Sequence, residues 1–125
     1  MIDIEALLVA WLEETIVGAT ASTETPSDLD DQLPWLLVRR VSGAYDGFRV
    51  DRPSVDIATF HTDGPTAMDL ALQVQRLLHE ELARTTYRGA VINKVKTSTG
   101  PHHVPYDNPN MRKAEANYEF AIHPA

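Results

Sequence analysis

Between residues 113 and 123 the chain reads KAEANYEFAIH, with Ala114, Ala116, Tyr118, Phe120 and Ile122 alternating against Lys113, Glu115, Asn117 and Glu119. Successive side chains on a strand point to opposite faces. A strand with this pattern therefore belongs to a sheet with one dry face and one wet face. The dry face needs a cover. The chain has 125 residues and no cysteine, so the cover has to come from apolar packing and not from disulfide staples.

Two segments can supply it. Residues 66–84 place Ala67, Leu70, Ala71, Val74, Leu77, Leu78 and Leu82 on one helical stripe, with Asp69, Gln73, Arg76, Glu80 and Arg84 largely opposite. Residues 3–15 place Ile4, Leu7, Leu8, Trp11 and Leu12 at the same spacing, with Asp3 and Glu5 near the start, where the helix dipole favours acids. Further strands are expected at 35–42, 54–61 and 90–98. In the first, Leu36 and Val38 share one face and Trp35, Leu37 and Val41 the other. In the second, Val55 and Ile57 oppose Asp56, Ala58 and Phe60. In the third, strict alternation sets Val91, Asn93, Val95 and Thr97 against Ile92, Lys94 and Lys96. A short extended piece and an exposed loop follow Gly18, a turn or long hairpin arm spans GAYDGFRVDRP, and TGPHHVPYDNPNM reads as a long loop. The order predicts one α+β domain over residues 1–125: a largely antiparallel sheet of four to five strands with two helices packed on one face.

Chemistry is harder to find. The stretch FHTDGPTAMDL gathers His61, Asp63 and Asp69 beside Gly64. The same residues describe a strand end, a cap for which Asp63 is preferred with Thr62 or Gly64 as alternatives, and a helix whose first turn holds Pro65, and this is the preferred reading. His102 and His103 are adjacent, so on a strand they diverge; His123 looks like a tail residue; and no His-Glu-x-x-His spacing occurs. Asp28, Asp30 and Asp31 lack the calcium-loop pattern and read as a solvated loop. There is no Gly-x-Ser-x-Gly elbow and no glycine-rich phosphate loop. The expectation is no catalytic residue, no cofactor and no metal. A formal net charge of −7 disfavours nucleic acid as a bound partner. The first residues carry no basic n-region, and no apolar run is long enough to span a bilayer.

The order of the pieces resembles the tail terminator family of long-tailed phages and prophages. The resemblance centres on Pro53, Val55, Asp56, Ile57 and Phe60, then Ala67, Asp69, Leu70, Ala71, Leu77, Leu78 and His79. It extends to DIEALLVAWL at the start, PWLLVRRVSG in the middle and AIHP at the end. It implies a structural protein of the virion, at the tail–neck junction, assembled in the host cytoplasm. Its partners would be copies of itself in a ring, the major tail tube protein and the head–tail connector or stopper. DNA would pass through an acid-lined lumen without specific binding. Ring closure needs two different patches per subunit. Aromatic and basic residues outside the core are the candidates: Tyr45, Phe48, Arg49 and Arg52 in one segment, His102, His103 and Tyr106 in another. Competing readings are another neck protein, a small cytoplasmic binding module, or a hydrolase using His61 or His102 with a nearby aspartate.

Overall fold

The computed structural model describes residues 2–25, 33–45, 47, 50–108 and 110–125. Helix α1 (Ile4–Thr15) starts at Asp3, whose Oδ1 accepts the Ala6 N–H at 3.1 Å and satisfies one of the orphan donors of a helix start. Strands β1 (Thr20–Ser22), β2 (Trp35–Tyr45) and β3 (Asp51–His61) follow, then helix α2 (Gly64–Leu77) with a π turn at Leu78–Leu82. Strands β4 (Thr85–Tyr87), β5 (Ala90–Val104) and β6 (Arg112–Pro124) complete the chain. The sheet order is β1-β2-β3-β6-β5-β4. β1 runs parallel to β2, and the other neighbouring pairs are antiparallel.

The fold is α+β with both helices on one face, but the sheet has six strands and is mixed, where four to five largely antiparallel strands were expected. The additional strand, β4, is only Thr-Thr-Tyr and lies at an edge, too short and too polar to show a period. β5 runs to Val104 instead of ending near Ser98: His102 and His103 pair opposite Glu115 and Ala114. Pro101, which argues locally for a loop, falls where the register shifts between Thr99 and His102. An irregularity is where a strand tolerates a residue with no N–H. His123 is not a tail residue; it lies in β6 opposite Val91.

The main core joins Leu7, Leu8, Trp11 and Leu12 of α1 and Leu70, Val74 and Leu77 of α2 to Leu36, Val38, Val55, Ile57, Ala116, Tyr118, Phe120 and Ile122 of the sheet. The π turn closes with Ala83 N–H donating to Leu78 O at 3.0 Å and keeps both Leu78 and Leu82 buried. Bulges change two of the expected faces. A register shift between Ile92 and Lys94 lets Ile92 and Val95 both enter the core. Another, between Arg40 and Ser42, leaves Val41 exposed instead of covered beside Leu37. Beyond that shift, Gly43 has φ +135°, and a Cβ there would stand 2.5 Å from the Arg52 carbonyl oxygen. Only glycine lets the two backbones approach so closely.

The sheet is curled. Glu13 Oε2 accepts the Ala21 N–H of β1 at 3.2 Å. The adjacent Glu14 carboxylate accepts the Tyr87 hydroxyl of β4 at 2.7 Å and pairs with Arg88. In a flat sheet these two edge strands would lie about 24 Å apart. Neighbouring glutamates cannot span that, so the sheet wraps around α1 like a partly closed, staggered barrel.

Candidate functional site

The His61–Asp69 stretch is a junction. Asp63 has extended backbone, and its Oδ1 accepts the Thr66 N–H at 2.8 Å. Hydrogen bonds from the Thr66 amide first, and its side chain second, hold the Asp63 carboxyl below the usual carboxylate range. His61 Nδ1 accepts the Thr62 N–H at 2.8 Å, and Asp69 is exposed one turn inside α2. The three side chains therefore do not converge on a shared centre.

Three of the other four histidines are hydrogen-bonded elsewhere. His79 Nε2 meets Thr97 Oγ1 at 2.7 Å, His102 Nδ1 meets Gly100 O at 2.9 Å, and His123 Nδ1 meets Pro124 O at 2.8 Å. Among the described residues no three metal-ligating side chains come together. No described helix is long and apolar enough to cross a membrane. Asp28, Asp30 and Asp31 lie outside the described residues.

The candidate contact residues separate into two places. Tyr45 ends β2 opposite Asp51, and Ala44 pairs with Arg52; both Tyr45 and Arg52 are exposed. Phe48 and Arg49 lie outside the described residues. His102, His103 and Tyr106 belong to the opposite end, where β3 finishes at His61. At about 3.3 Å per residue the length of β3 sets the two groups roughly 25–30 Å apart along the sheet. His103 lies beside the start of α2, its Cε1 being 3.5 Å from where a Cβ on Gly64 would stand.

Tyr106 has a further role that the sequence did not reveal. The face away from the helices carries a satellite core of Trp35, Leu37, Ala58, Phe60 and Met111. Trp35 and Phe60 stack with centroids 5.3 Å apart, and Tyr106 meets Phe60 edge-on at 5.2 Å. Lys113 Nζ stands 5.7 Å from the centroid of the Phe60 ring. Tyr106 thus closes this core while the residue itself stays 37% exposed. Next to it the same face turns polar, with Asn117 Nδ2 donating to Asp56 Oδ1 at 2.7 Å and to Ser54 Oγ at 3.0 Å.

Two lysines that join Arg52 escaped the sequence reading. Strict alternation places Lys94 and Lys96 on the same face as Ile92. The bulge reverses this: Val95 turns inward opposite Phe120, and Lys94 and Lys96 reach the open face opposite Ala121 and Glu119. Arg52 lies on that face too, within the run from the Asp51–Ile122 pair to the Ser54–Glu119 pair. Small Ala121 lies between long cationic arms, and Arg52, Lys94, Lys96 and Glu119 line a cleft of ≈ 190 Å³. The signal in the sequence was the conflict itself, since two lysines cannot share a dry face with Ile92 without a slip in period.

Comparison with curated proteins finds no match. The family model for phage tail termination proteins, however, matches residues 1–124, both helices and all six strands included, and the chain belongs to that family.

Proposed function

We propose that the protein works as a ring of six copies seated on the end of the finished tail tube. The ring stops further addition of tube subunits and offers its other side to the head-side connector or stopper. It acts by shape and contact, without catalysis, and DNA passes through its lumen. The family match over residues 1–124 carries this reading.

Two features of the fold support it. A closed ring requires two different patches on each subunit. Tyr45 and Arg52 at one end of the sheet, and His102, His103 and Tyr106 at the other, are well separated candidates; Phe48 and Arg49 join the first group by sequence. The net charge of −7 also suits a passage that phosphate backbones must traverse without sticking.

Negative-stain imaging of the purified protein, alone and mixed with tail tubes, tests the proposal. Rings that cap tube ends and arrest their growth are expected. A protein that ignores tubes but binds the connector would point to another neck component, and a monomer that binds neither would overturn an assembly role. Replacing lumen acids with lysine is expected to slow DNA ejection; unchanged ejection would remove the charge argument.

A further inference from the structure

We propose that the Arg52–Lys94–Lys96 cleft receives carboxylates from the helix side of a second copy of this chain. The inference rests on the ring reading and specifies one contact within it. The bulge at Asn93 turns both lysines to the open face, and Ala121 leaves room between the cationic arms. Lys96 approaches Glu119 at 3.6 Å in an exposed pair. Among the described residues, Arg52 and Lys94 have no carboxylate partner. By contrast, Arg40, Arg76 and Arg88 are paired with Asp51, Glu80 and Glu14. The cleft is therefore a local excess of positive charge on a chain of eighteen acids and eleven bases.

The surroundings favour a protein partner over nucleic acid. Glu119, Glu115 and Asp56 share the open face with the cleft. A polyanion tracking this face would meet those carboxylates, whereas a protein surface can present one or two carboxylates to the cations and leave the acids in solvent. A second copy is such a surface. On its opposite layer, Asp69 of α2 and Glu81 of the π turn are exposed, and among the described residues neither has a cationic partner. Sheet side meeting helix side is a head-to-tail contact, as a closed ring demands, and a helix-side carboxylate meeting the cationic cleft across it would select that orientation.

Two double variants test this, Arg52→Glu/Lys94→Glu and Asp69→Lys/Glu81→Lys, all at exposed positions, with circular dichroism checking the fold. Association is read by light scattering of the free protein and by negative stain on tail tubes. Each variant alone is expected to need a concentration raised by about tenfold or more to associate. An equimolar mixture should recover association, because alternating copies restore opposite charges at every contact. Variants that associate like the wild type would overturn this contact and leave the ring standing. A wild-type protein that forms no ring, free or on tubes, would remove the ring and this contact with it. Loss without recovery in the mixture would overturn the helix side as occupant, and duplex DNA binding that disappears with Arg52→Glu/Lys94→Glu would assign the cleft to DNA instead.

Discussion

At position 63 a carboxylate holds the Thr66 amide and so begins helix α2. Asp63→Ala leaves that N–H without its partner, and the melting temperature is expected to fall by on the order of 4 °C with assembly intact. The effect should depend on pH with a definite sign. The folded-state carboxyl is held below its ordinary value, so its stabilisation is complete above the unfolded pKa of about 3.9 and is lost as pH falls through the lower folded value. The melting difference between wild type and Asp63→Ala should therefore be constant near neutral pH and shrink below about pH 4. A second residue, Asp51, is buried and takes Arg40 in two parallel hydrogen bonds of 2.7 and 2.8 Å. Asp51→Ala removes the bidentate carboxylate from a guanidinium that is mostly covered, and urea unfolding should show a loss of about 3 kcal/mol. Asp51→Leu combined with Arg40→Met should recover much of it, because no charge is left buried. The cap at Asp63 was legible as a short-range pattern, whereas Asp3 was read only as an acid near a helix start and proves to be its cap. The Arg40–Asp51 pair was not, because it joins two strands across a hairpin whose register no local rule supplies.

Among the elements, α2 has the clearest sequence signal: its apolar stripe is the stripe found buried. Leu77→Asp places a carboxylate in that layer with nothing to pair it, and the variant is expected in the insoluble fraction on expression. β5 teaches the opposite lesson. Its alternation first fails at Asn93, and the side chains from Lys94 to Thr97 change face, as follows from a period of two. Deleting Asn93 should remove the bulge and restore strict alternation, with Ile92 and Val95 still facing the helices and Lys94 and Lys96 still on the open face. The cooperative thermal transition should therefore be kept, and its loss would show that Asn93 is not the extra residue that sets the faces of this strand. The bulge was hidden because which backbone group is skipped depends on the neighbouring strand β6.

At the scale of the whole molecule, helix α1 matters for shape as much as for core. Glu13 and Glu14 tie it to opposite edges of the sheet, so the curl and the helix position are one feature. The same scale separates the two candidate contact ends. Tyr45→Asp changes an exposed strand end and is expected to shift the oligomer toward monomer in light scattering with little change in melting temperature. Tyr106→Asp should affect both readings, because it uncovers the Phe60 and Trp35 rings as well as altering the surface. An unchanged oligomer in both variants would exclude these ends as subunit contacts.

The sequence by itself determined the class of fold, the two helices, the faces of β3 and β6, and the membership in a structural tail family. Those properties follow from periodicity, caps and the order of segments, all short-range along the chain. Tertiary structure decided the sixth strand, the parallel edge pair, the length of β5, the satellite core under Tyr106 and the basic cleft. Apart from the sixth strand, which is joined to β5 by a tight turn but is too short to show a period, each of these depends on which groups find partners across segments distant in sequence. The cleft shows the reason most directly: Arg52, Lys94 and Lys96 share one face only because β6 lies between their strands and the bulge has turned the lysines over.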